Sequence, residues 1–257
     1  LWACNNKEPV DYGRMTHPIV NGTTTSGWPA VGALVYDDGG YWGHFCTGTL
    51  VASQWVVTAA HCVDPSITGF QPDEISFFIG ADANSPYGGS TYEVAQATAH
   101  PSWTGSGGYD IAVIRLDDAV PSGTATPIPY NTYNLYSYSN EQVRWVGYGI
   151  DDGYDETGGG IKRTATGYID NIYSGDLEYG LGNNDAMPCS GDSGGATLMS
   201  IEGTERLVGV ISRGDEHCVV GGIDTRVDAY ASWIAEVMGG TIEGCDITGG
   251  DCPSGQA

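Results

Sequence analysis

Three short stretches hold residue types that together can attack a carbonyl. Pro188-Cys189-Ser190-Gly191-Asp192-Ser193-Gly194-Gly195 sets a serine between an aspartate and two glycines, with a further glycine two positions earlier. Glycine takes positive φ readily and lets a ligand approach the backbone closely, so such a turn exposes the Ser193 hydroxyl. It also lets the N–H groups of Gly191 and Ser193 point at one spot, where the oxygen of a tetrahedral intermediate would gather negative charge. Taken alone, these eight residues also read as a Gly/Ser surface loop. The second stretch, Thr58-Ala59-Ala60-His61-Cys62, follows the apolar run Trp55-Val56-Val57. The third, Asp110-Ile111-Ala112-Val113-Ile114-Arg115-Leu116, follows a glycine-rich loop. A serine hydroxyl is a weak nucleophile until a base takes its proton, and the base needs an orienting group. His61 supplies the base, and Asp110 supplies the carboxylate that holds its tautomer and stabilises the imidazolium.

With the chain order His61, Asp110, Ser193, the sequence resembles the trypsin/chymotrypsin family of serine endopeptidases rather than subtilisins or α/β-hydrolases, from Ile19 to about Met238. The resemblance implies an all-β fold, two six-stranded antiparallel Greek-key barrels packed together with a C-terminal α-helix. It implies peptide hydrolysis through an acyl-enzyme, with His61, Asp110 and Ser193 catalytic and Gly191 and Ser193 forming the oxyanion hole. Ser212, in Ile211-Ser212-Arg213-Gly214 where relatives carry a Ser-aromatic-Gly stretch, is expected to bond Asp110. Cys46–Cys62 and Cys189–Cys218 match family disulfides, the first anchoring the histidine loop and the second tying two walls of the specificity pocket. The partners implied are polypeptide substrates and protein protease inhibitors, acting on a monomer that needs no cofactor.

That pocket would be built from the segment before the serine loop (including Met187), from Ser212, Arg213 and Gly214, and from Gly222. Met187 stands six positions before Ser193, where trypsin-like enzymes carry an acidic residue, so an apolar or aromatic P1 residue is expected. The alternative is Arg or Lys at P1 through Asp224, two residues past Gly222. Arg213 replaces the usual aromatic residue, to recruit an acidic side chain or to face solvent. Ile19-Val20-Asn21-Gly22 resembles the family's activation terminus, whose new ammonium would pair with Asp192 after a cut. An uncut chain is then expected to hold Asp192 elsewhere. Pro18 stands before Ile19 where the family usually has Arg or Lys, which implies an activator of different specificity.

The elements that must position these groups are mostly strands. Val, Ile, Tyr, Thr and Trp come in short runs punctuated by 40 glycines. Residues 30–36, 44–51, 55–58, 91–99 and 111–116 read as strands of a first barrel over 19–120, and 121–134 as a linker. A second barrel and helix are expected over 135–240. Tyr230, Trp233, Ile234 and Val237 recur at helical spacing before Gly239-Gly240. Residues 1–18 read as a propeptide or N-terminal tether, and 241–257 as a tail looped by a Cys245–Cys252 disulfide.

The chain has 257 residues, ample for a core of this kind, and a formal net charge of −23. That surface repels polyanions, so nucleic acid is excluded as a partner. No apolar run reaches the ~18 residues of a membrane span. The five histidines are scattered, with no pair at metal-ligand spacing, so no metal site is assigned; the acidic stretch 151–156 reads as a solvated loop, with Ca²⁺ held by its clustered carboxylates as the alternative. Seven cysteines, several matching a disulfide framework, imply an oxidising, extracytoplasmic compartment. The cysteine left over is Cys4. Leu1-Trp2-Ala3-Cys4 resembles the end of a bacterial lipoprotein signal and points to a bacterial-type member; a lipid anchor tethering the chain before activation and a disulfide both remain open for Cys4. Two other functions compete: a protease-like binding protein with a dead site, and a hydrolase of esters.

Overall fold

Short β-branched runs separated by turn residues build two antiparallel sheet units. The structure, a computed structural model, describes residues 18–38, 41–179, 186–242 and 245–246. The first unit comprises β1 (Val31–Asp38), β2 (Tyr41–Ala52), β3 (Trp55–Thr58), β4 (Ile75–Gly80), β5 (Gly89–Ala99) and β6 (Ala112–Leu116). They close a barrel in the order β1-β2-β3-β6-β5-β4. Closure leaves no edge strand, and alternate side chains fill the interior. Val31, Leu34, Leu50, Val56, Phe77 and Ile114 are among the fully buried residues of this core.

The second unit comprises β7 (Gln142–Gly147), β8 (Arg163–Tyr168), β9 (Asp176–Tyr179), β10 (Ala196–Ile201), β11 (Thr204–Gly214) and β12 (Gly222–Arg226), in the order β8-β7-β10-β11-β12-β9. Two-residue strands, Thr23–Thr24 on β8 and Asn171–Ile172 on β9, extend it at either side. Among the described residues the hydrogen-bonded ring of this sheet is open, whereas that of the first is closed. Its interior gathers Trp145, Leu177, Tyr179, Met187 and Ile211 with Ile19. The expected two-barrel, all-β architecture with a C-terminal helix is the one observed.

The helix, α1 (Ala231–Val237), buries Ala231, Ile234 and Ala235. It stops at Gly239 and Gly240, both left-handed at φ 86° and 85°. Their N–H groups close on the Glu236 and Ala235 carbonyls at 3.1 and 2.7 Å, an ending glycine adopts at little steric cost.

Two contacts between the units matter for the site. Thr47, fully buried on β2, donates its N–H to the Ser193 carbonyl (2.8 Å) and its hydroxyl to the Gly191 carbonyl (2.9 Å). The same hydroxyl accepts the Tyr148 N–H at 3.2 Å. Disulfides join Cys46 to Cys62 and Cys189 to Cys218. Cys4 and Cys252 lie outside the described residues, and with them the lipid-anchor and tail-disulfide expectations. No helix among the described residues is long and apolar enough to cross a membrane.

Candidate active site

His61 sits on the one-turn helix Ala60–Cys62, directly after β3, and the Cys46–Cys62 disulfide fastens that turn to β2. Asp110 precedes β6. The residue before it, Tyr109, takes φ 63°, an uncommon conformation for a bulky side chain that surrounding contacts must hold. Its ring stacks on His100 (5.0 Å between centroids) and meets Tyr230 edge-on (5.9 Å). The chain thereby turns Asp110 inward, where it is 2 % exposed. Its Oδ2 accepts from His61 Nδ1 (2.7 Å) and the Ser212 hydroxyl (2.7 Å), and its Oδ1 accepts the His61 backbone N–H (2.9 Å). Thr225 donates to the Asp110 carbonyl at 2.9 Å. Burial alone would push the Asp110 carboxyl up. The His61 ring, the Ser212 hydroxyl and the His61 N–H outweigh it and hold the group below the usual carboxylate range.

The Ser193 loop needs its glycines. Gly194 lies at φ 80°, and a Cβ there would stand 2.1 Å from Thr58 Oγ1 and 2.2 Å from the Thr47 carbonyl. Gly191 lies at φ 91°, against the Gly149 backbone. Among the described residues, neither the Gly191 nor the Ser193 N–H has an acceptor within the protein, so both stay available to an incoming oxyanion. Asp192 is fully buried; its Oδ1 accepts from Gly149 N–H (2.8 Å) and its Oδ2 from Cys189 N–H (2.9 Å). Burial pushes its carboxyl up to about 6, against these two bonds and the Arg163 charge. Two backbone amides supply the partners the Asp192 carboxyl needs there. Ile19 is fully buried as well.

A cavity of about 260 Å³ opens beside Ser193, walled by Tyr179, Pro188, Ile211, Ser212 and Gly214 with the Cys189–Cys218 disulfide. A second cavity, about 360 Å³, adjoins it and is lined by Tyr179, Gly214, Val220, Gly222 and Ile223. Asp215 borders the first, but its carboxylate is taken up by the N–H groups of Val219, Val220 and Gly221 at 2.8–3.1 Å.

Residues 19–234, which hold every group just described, match the family model described as Trypsin. The chain belongs to the trypsin family. It is 28 % identical to chymotrypsin-like elastase family member 1 of Canis lupus familiaris, over 86 % of this chain and 92 % of that one. It is 32 % identical to a tryptase of Mus musculus, over 84 % of this chain and 87 % of that one. With the Bos taurus elastase family member 1, identity is 28 % over 87 % and 91 %. The chain is therefore a serine endopeptidase. These relatives are mammalian and lend no support to a bacterial-type member.

Within this trypsin-family chain, some residues expected in the pocket lie elsewhere. Ser212 and Gly214 border the cavity beside Ser193, whereas Gly222 lines the neighbouring one. Met187 borders neither: its N–H bonds the Val20 carbonyl (3.0 Å), and its side chain is buried in the core of the second unit with Ile19 and Trp145. Arg213 borders both cavities, yet its guanidinium is engaged by Asp176 (3.1 Å), the Gly107 carbonyl (3.3 Å) and the Ser212 hydroxyl (3.3 Å). Asp224 is 1 % exposed and turned into the sheet, taking bonds from Trp145 Nε1 (3.2 Å) and the Thr197 hydroxyl. Its Oδ1 has no partner among the described residues. Tyr179, Thr47 and Thr225 carry no motif, and no spacing in the sequence marks them.

Asp224 makes stability depend on pH. Burial, foremost, raises its carboxyl to about 7, from about 3.9 in an unfolded chain. The folded state thus binds the proton more tightly, and the stability gained by protonation is lost as pH rises through about 7. The melting temperature is expected to fall between pH 5 and 8, with Asp192 acting in the same direction. Asp110, shifted the opposite way, acts only at more acidic pH. Asp224→Asn, which has no charge to gain, should flatten much of that fall. A melting profile with the wild-type slope would show that Asp224 is not its source.

Proposed function

We propose that this endopeptidase cleaves polypeptides after apolar residues (Phe, Tyr, Leu or Met) through a Ser193 acyl-enzyme. His61 takes the Ser193 proton as the hydroxyl attacks and returns it to the leaving amine. Asp110, with Ser212 behind it, keeps the His61 Nδ1 proton in place. The Gly191 and Ser193 N–H groups receive the charge that develops on the carbonyl oxygen, so they act on the chemical step more than on binding. One such donor contributes roughly 3 kcal/mol.

The P1 reading rests on one observation: the cavity beside Ser193 has the apolar walls of Tyr179, Pro188 and Ile211, while Asp215 is occupied and Asp224 is turned away. Glu216 also borders the cavity, but from the exposed side; a P1 cation buried against Tyr179, Pro188 and Ile211 would have to leave it behind, and an unpaired buried charge is costly. Cleavage-site profiling on a mixed peptide library should return Phe, Tyr, Leu and Met at P1. A dominant Arg or Lys signal would overturn the reading in favour of an acidic determinant.

We further propose that the chain is a zymogen matured at Ile19. Among the described residues Asp192 accepts only backbone N–H bonds and has no cationic side chain in contact. An ammonium freed at Ile19, itself buried in the same unit, would be its counter-ion. The cut would supply that charge beneath the Ser193 loop, and residues 1–18 would be the part removed. N-terminal sequencing of the active enzyme should begin at Ile19; full activity with an N-terminus upstream of it would rule the scheme out.

A further inference from the structure

Tyr179 is one of three residues common to the linings of the two cavities. It ends β9, pairs in register with Gly222 on β12, and is 3 % exposed. Its ring packs against Trp145, 4.7 Å between centroids. Tyr179 borders both the 260 Å³ cavity beside Ser193 and the 360 Å³ cavity. The two cavities share Tyr179, Arg213 and Gly214, and beyond them the second is lined by Val220, Ile223, Gly221 and Gly222 and by the acidic Glu178. Nothing in the sequence motifs singles Tyr179 out.

We propose that Tyr179 is the specificity-determining wall of the P1 site: its ring limits the length of the apolar side chain accepted and separates that site from the second cavity. This rests on the apolar P1 reading given above. An aromatic wall meets an apolar side chain with a large, rigid surface, and its two χ angles leave it little freedom to yield. Tight walls discriminate by size, because one methylene too many or too few shifts kcat/KM by about 10- to 200-fold.

Gly222 makes the arrangement reversible by mutation in both directions. A Cβ at this position would stand 2.3 Å from the Tyr179 hydroxyl and 3.0 Å from the Arg213 carbonyl. Glycine there leaves the space that the hydroxyl end of the Tyr179 ring occupies. Gly222→Ala would displace the ring from β12, and on this proposal the ring moves into the P1 site and shortens it. Tyr179→Ala would remove the partition and join the two cavities.

The test is a series of peptide substrates differing only at P1 (Leu, Phe, Trp and Arg), assayed with wild type, Tyr179→Ala, Tyr179→Phe and Gly222→Ala. Circular dichroism checks that each variant folds. The Trp-to-Leu ratio of kcat/KM should rise at least tenfold in Tyr179→Ala, fall at least threefold in Gly222→Ala, and stay within threefold of wild type in Tyr179→Phe, which keeps the ring. A folded Tyr179→Ala enzyme whose ratio stays within threefold of wild type overturns the proposal. Should Tyr179→Ala not fold, Gly222→Ala decides alone, an unchanged ratio being the overturning result. A wild-type preference for Arg over Leu would instead overturn the apolar reading, and the Trp-to-Leu comparison, made between neutral substrates, would still report on Tyr179.

Discussion

Replacing Ser193 with alanine is expected to lower kcat by on the order of 10⁶ while leaving the fold intact. The change removes one hydroxyl from a half-buried side chain. It leaves the backbone contacts that shape the loop, including the Thr47 N–H on the Ser193 carbonyl and the Gly195 N–H on the Asp192 carbonyl. Without the hydroxyl no acyl-enzyme forms, so His61 and Asp110 have no proton to manage. The oxyanion amides and substrate binding would still sustain residual hydrolysis, ~10³–10⁴ above the rate in water. Peptide turnover and far-ultraviolet circular dichroism on the same preparation measure both halves of the expectation. Turnover within tenfold of wild type would remove Ser193 from the reaction, and an ester substrate assayed beside the peptide would show whether either chemistry survives.

The next largest effect is expected at Asp110. In Asp110→Asn the shape is kept, but one acceptor oxygen becomes an amide donor. The native Oδ2 accepts both His61 Nδ1 and the Ser212 hydroxyl, while Oδ1 accepts the His61 backbone N–H. Every bond to this carboxylate therefore runs towards it, and an amide can satisfy only part of that set. If the amide nitrogen faces His61, the ring must present Nδ1 as an acceptor and carry its proton on Nε2, the atom that should take the proton from Ser193. A loss on the order of 10⁴ in kcat at neutral pH follows for this kind of triad. The rate of Ser193 labelling by a fluorophosphonate should fall in parallel. Slow turnover combined with wild-type labelling would show that Asp110 acts on some step other than activation of the serine.

How much of this was open to reading in the chain varies by element. The strands with β-branched or aromatic runs next to a motif, such as Trp55–Thr58 and Ala112–Leu116, were legible, as was α1 from the spacing of Trp233, Ile234 and Val237. Arg163–Tyr168 and Asp176–Tyr179 were not. Their polar residues (Arg163, Thr164, Thr166, Asp176 and Glu178) alternate with few apolar ones, and pairing with β7 and β12 rather than local propensity makes them strands. Of the site, His61, Asp110 and Ser193 announce themselves by their neighbours. The pocket does not, because its walls come from β9, β11 and the serine loop, and only the fold decides which way each side chain turns. Met187 and Asp224 show the difficulty. Each lies close in sequence to a residue of the cleft, yet Met187 is drawn inward by its backbone bridge to Val20 and Asp224 by the alternation of β12.

Thr47 belongs to the first barrel, yet its hydroxyl and amide hold the carbonyls of Gly191 and Ser193 in the second unit. His61 and Asp110 likewise come from the first unit and Ser193 from the second, so neither half possesses a complete reaction centre. Catalytic competence is thus a property of the seam. As denaturant loosens the association of the halves, peptide turnover should vanish while each sheet still keeps its strands, and it should return last on refolding, after both sheets have formed and met in register.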